Sequence, residues 1–88
     1  MDTDIEQLKK KIIYRSNYRG TKEMDKLLSS FTNEYINQLN VKDLNDLKIL
    51  LDHEDEDLYN FFKGLSTNTE FEKNNVNTLF KNFKYINK

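Results

Sequence analysis

Arg15, Arg19 and Glu23 stand four residues apart in the stretch YRSNYRGTKEMD, residues 14–25. They are the groups in this chain best suited to orienting another molecule's charge. Arg15 and Arg19 are the chain's two arginines; apart from His53, every other basic position is lysine. A guanidinium offers a planar fork of donors that fits carboxylates and backbone carbonyls, which the point charge of lysine does not. Gly20 lies between the second fork and the acid, and a residue without a Cβ lets another backbone approach. The chemistry this set supports is recognition: a donor fork, an acceptor and an accessible backbone, offered to a second polypeptide at a left-handed turn. The same residues allow a plainer account, with Gly20 closing one helix, Thr21 capping the next and Glu23 on the positive end of its dipole.

Catalysis by the chain itself has no comparable set. Ser16, Ser29, Ser30 and Ser66 share one histidine and lie in no nucleophile-elbow motif. There is no cysteine, which removes disulfides, thiolate metal sites and thiol nucleophiles together. Carboxylates are plentiful, but a chain of 88 residues buries only about 60–65% of its unfolded surface and has little room for a deep cleft. No Gly-rich phosphate loop or dinucleotide fingerprint occurs. His53, in LLDHEDED, lacks the turn glycine and distant glutamate of a calcium loop. The acids around it read as charge at a helix start, with His53 a solvated loop residue. Lys9–Lys11 with Tyr14, Arg15, Tyr18 and Arg19 form a basic, aromatic face that could meet RNA. A net charge of −1 favours a solvated helix face instead. The expectations are no enzyme, no metal, no nucleic acid, no tightly bound cofactor and a monomer when free.

The elements that must hold these residues are helical. There is no proline, and apolar residues recur at three and four. The spacing predicts helices over 3–18 (Ile5, Leu8, Ile12), from Thr21 to Leu39 (Met24, Leu28, Phe31, Tyr35) and over 41–52 (Leu44, Leu47, Leu50, Leu51). A short fourth helix carries Leu58, Phe61, Phe62 and Leu65 inward and stops at Gly64. A fifth covers 70–85 (Phe71, Val76, Leu79, Phe80, Phe83), after a polar link with cap candidates Thr67 and Thr69. Gly20 and Asn40 mark the first two breaks. One apolar face per helix and short loops give an all-α, compact antiparallel five-helix bundle, one domain over residues 1–88.

The segment RSNYRGTKEMDKLLSSF resembles the signature of the succinate dehydrogenase assembly factors, the SdhE or flavinator family, marked by Arg-Gly-x-x-Glu. Arg19, Gly20 and Glu23 match that core, and Thr21, Met24 and Asp25 its extension. Tyr14, Arg15 and Ser16 upstream also fit. Downstream, Leu50, Leu51 and DEDLYNFF, 55–62, resemble the family's acidic loop and fourth helix. The likeness spans roughly residues 12–64. It departs at Tyr18, Glu56 and Phe61, where many members have a basic residue, a proline and a tryptophan.

The resemblance implies a non-enzymatic helical assembly factor. Such a protein binds the flavoprotein subunit of succinate dehydrogenase, and of fumarate reductase where present, and promotes covalent attachment of FAD to a histidine of that client. FAD is then the client's cofactor. Carried onto this chain, the client-binding residues are Arg15, Arg19, Gly20, Glu23 and Asp25, with the acidic loop at Asp55 and Asp57 as a second contact. An antitoxin-like regulatory binding module is the alternative. The acidic start, MDTDIEQ, is unlike an Arg-rich transit peptide, and no apolar run is long enough to span a membrane. Both suggest a cytoplasmic protein of bacterial type.

Overall fold

Stripes of leucine and phenylalanine decide the architecture, because each needs a neighbour to cover it. The computed structural model describes residues 2–84. Within them lie five α-helices and no strand: α1 (Asp2–Ser16), α2 (Lys22–Tyr35), α3 (Val41–Leu51), α4 (Asp55–Lys63) and α5 (Asn75–Lys81). α1 packs on α2 and α3, α3 on α5, and α5 on α4. This is the small all-α bundle expected. Ile12, Leu28, Phe31, Leu44, Leu47, Leu58, Val76 and Phe80 are buried at its centre, each contributing about 1.5–3 kcal/mol. Phe31 is the hub, with Phe80 and Phe83 edge-on at 5.2 and 5.3 Å and Tyr35 at 5.1 Å.

Three boundaries follow the sequence rules. The Thr21 hydroxyl accepts from the Met24 N–H, and the Asn40 side chain accepts from the Asp43 N–H. Gly64, at φ 77°, closes α4 in the left-handed conformation.

Other boundaries depart from expectation. α1 stops at Ser16, two residues early. The Ser16 hydroxyl and the Asn17 amide both donate to the Ile13 carbonyl, which satisfies the helix end locally. α2 ends at Tyr35 rather than Leu39, because residues 36–38 already turn toward the Asn40 cap. α5 begins at Asn75, not at 70. Phe71 stacks on Phe61 at 4.3 Å, and the extended backbone around it resumes a helix only at Asn74, whose side chain caps Asn77. Thr67 and Thr69 are not caps; the Thr67 hydroxyl donates to the Thr69 carbonyl within the link. The expected end of that helix at Tyr85 lies outside the described residues. Leu65, expected to face inward, is 58% exposed just past the Gly64 turn.

Candidate functional site

The corner between α1 and α2 is closed by side chains rather than by a glycine turn. Tyr18 takes the left-handed conformation, at φ 59°, where an L-residue pays roughly 1–2 kcal/mol. Gly20 does not adopt positive φ, so the expectation of a left-handed Gly20 is corrected. Its smallness serves another purpose. The Gly20 N–H donates to Asp55 Oδ2 at 2.7 Å, and a Cβ at this position would lie 2.9 Å from that same oxygen. The backbone that needs room to approach is therefore met by this chain's own carboxylate.

Arg19 turns four of its five guanidinium N–H groups to internal acceptors. Nε donates to Asp55 Oδ1 at 2.8 Å. Nη1 donates to the carbonyls of Arg15, at 2.8 Å, and Leu51, at 3.0 Å. Nη2 donates to the His53 carbonyl at 3.1 Å. The Arg15 and Leu51 carbonyls belong to the last turns of α1 and α3, where backbone acceptors lack helical partners and a cation suits the dipole. One guanidinium thus joins two helix ends, the α3–α4 loop and the first turn of α4. Lysine has no such fork, which accounts for arginine at this position. The Arg19 N–H also donates to Asp25 Oδ1, tying the corner to α2. The Arg19 side chain is 10% exposed and that of Asp55 26%. Sequence reasoning offered Arg19 as a free docking fork; the structure corrects this to a pin inside the corner.

The remaining candidate residues divide. Arg15 pairs with Asp52, both half-exposed, a contact worth about 0–1 kcal/mol. Glu23 is exposed on the first turn of α2. Asp57 is buried, and its carboxylate accepts from the Asn68 N–H at 3.0 Å. It holds the link after α4 and does not reach the corner, so its place as an exposed acidic-loop contact is corrected too. His53 is not a solvated loop residue: it is half-buried, with its ring stacked 4.0 Å from Phe71. On the outer side of α3, Asp46 raises the Lys42 pKa through a hydrogen bond and its charge.

Around the pin runs an open groove of about 470 Å³, lined by Tyr14, Tyr18, Gly20, His53 and Glu54 among others. Tyr14 and Tyr18 rim it, 65% and 78% exposed, with ring centroids 5.1 Å apart. Exposed tyrosines beside an open groove are typical anchors of a protein interface. The sequence marked both as aromatic but gave no sign that Tyr18 would be turned outward by a left-handed backbone. Asp52, as the partner of Arg15, was also missed; only its place in the acidic run hinted at it.

The family model described as "Flavinator of succinate dehydrogenase" matches residues 10–84. The chain belongs to this family. It is 39% identical over 71 residues to "Succinate dehydrogenase assembly factor 2, mitochondrial" of Dictyostelium discoideum, covering 80% of this chain and 50% of that protein. Proteins of the same name from Aspergillus flavus and Lodderomyces elongisporus are 34% and 36% identical over 56 and 55 residues. Those matches cover 64% and 62% of this chain, and 19% and 34% of the respective relatives. The chain thus spans half the length of the first relative and less of the others. No solved structure gives a significant match. The relatives' names overturn the expectation of a bacterial, cytoplasmic protein, since all three are called mitochondrial. A targeting segment is separate from the domain it delivers, so the composition of the bundle does not report its compartment.

Proposed function

We propose that this chain is an assembly factor that docks on the flavoprotein subunit of succinate dehydrogenase through the Gly20 corner and promotes covalent attachment of FAD to it. The observation that carries this reading is the family match over residues 10–84, which takes in the whole corner. The geometry supports it: a rigid pin of Arg19, Gly20 and Asp55 lies under an open groove with two exposed tyrosines on its rim. In this reading Tyr14, Tyr18, Arg15 and Glu23 touch the client, while Arg19, Asp25 and Asp55 fix the surface that does so. The mitochondrion is the proposed site of action, by analogy with the relatives' names.

The chain supplies no nucleophile and no redox group. It raises the rate by holding the client's own groups in register, an effect that can be worth several kcal/mol when reacting atoms are pre-aligned. The flavin stays with the client. Mixing the chain with apo flavoprotein subunit and FAD, then reading covalent flavin by in-gel fluorescence, tests the proposal. Labelling should rise well above the level without the chain; equal labelling would overturn it.

A further inference from the structure

Docking through the corner, the reading on which this inference rests, would also cover the surface on the α2 side of Gly20. There Thr21, Glu23, Met24, Asp55, Glu56 and Tyr59 enclose an open pocket of about 390 Å³. Tyr59, 37% exposed, offers its ring to this pocket, while Met24, which also lines it, is buried. Both Asp55 oxygens are already taken, by Arg19 and by the Gly20 N–H. Glu23 and Glu56 are different: among the described residues the ion pairs are Arg15–Asp52, Arg19–Asp55 and Lys42–Asp46, and neither glutamate takes part. Lys63 packs over the Tyr59 ring, 5.6 Å from its centroid, without pairing with either.

A carboxylate that loses its water on docking is costly unless a cation replaces that water. This chain brings no cation to Glu23 or Glu56, so the client must. We infer that the pocket between α2 and α4 receives an arginine side chain of the flavoprotein subunit, its aliphatic stem along the Tyr59 ring and its guanidinium between Glu23 and Glu56. The pocket's composition suits that side chain: the edge of an aromatic ring for the methylenes and two acceptors for the fork. A purely apolar occupant would strand both acids. An acidic occupant would be repelled by them.

The test is a binding titration of the labelled chain against apo flavoprotein subunit, at low salt and at about 0.3 M salt. The double variant Glu23→Gln/Glu56→Gln should weaken binding roughly tenfold or more at low salt and flatten its salt dependence. Tyr59→Ala should weaken it less and leave the salt dependence in place. A control, Glu6→Gln/Glu34→Gln, removes the same charge from exposed positions elsewhere and should bind as wild type. Circular dichroism establishes that each variant is folded; if the double variant is not, Glu56→Gln alone is titrated, with a smaller shift in the same direction. Wild-type affinity and salt dependence in the folded glutamine variant would overturn the arginine pocket and leave the docking reading standing. So would a loss confined to Tyr59→Ala, which would point to an apolar occupant. Failure of the wild-type chain to bind would overturn both.

Discussion

Two regions of the bundle are held by different physics. In the core, Phe31, Phe80 and Phe83 fill space with rings 5.2–5.3 Å apart. At the corner, Arg19 and Asp55 join four segments by directed hydrogen bonds around a glycine that leaves no spare room. Ring packing is strong but tolerant of small shifts, since dispersion and burial depend weakly on angle. A guanidinium network is unforgiving: a displaced acceptor loses its bond and leaves a polar group without a partner. The chain thus stores stability in one region and geometric precision in the other. The precise region is the one proposed to meet the client.

The contrast can be broken from either side. Phe31→Ala should have the largest effect on stability, about 3–5 kcal/mol, a large part of what holds a domain of this size together. It is read in a thermal or urea melt, and flavin attachment should fall only in proportion to the unfolded fraction. Arg19→Lys should cost about 2–4 kcal/mol, because lysine cannot serve Asp55 and three carbonyls together. Near-wild-type stability in that melt would mean the charge alone suffices. Gly20→Ala should cost least, about 1–2 kcal/mol, because Asp55 must shift from the added methyl and its bonds to Arg19 and the Gly20 N–H weaken without being lost. Yet it should reduce client affinity more than Phe31→Ala does when both are compared at temperatures where they are folded. A Gly20→Ala chain that binds as well as wild type would erase the distinction between core and corner.

The helical plan was readable because leucine and phenylalanine spacing reports which face each helix must cover, as Leu44, Leu47 and Leu51 do for α3. Caps at Thr21 and Asn40 were readable because a short polar side chain before an apolar stripe has a local role. The α5 start was not, because the ring of Phe71 is claimed by Phe61 and His53 from other parts of the chain. At the site, sequence singled out Arg19, Gly20 and Asp55 but gave them separate tasks. That they bind one another, across 36 and 35 positions, is a tertiary fact with no local signature. Asp57 shows the converse: an acid two residues from Asp55 reads alike in sequence, yet those two residues of helix, a rotation of about 200°, turn it toward Asn68.

The span of the Arg19–Asp55 contact bears on when the protein becomes competent. A growing polypeptide exposes Arg19 and Gly20 early, but their fastener arrives only after α2 and α3 have been made and the fourth helix has begun. Bringing such distant partners together carries a loop-closure cost that the packed helices between them must offset. An unfinished or half-collapsed copy would therefore lack a shaped corner and could not engage a client prematurely. The long reach of one salt bridge makes readiness to bind a report on completed folding.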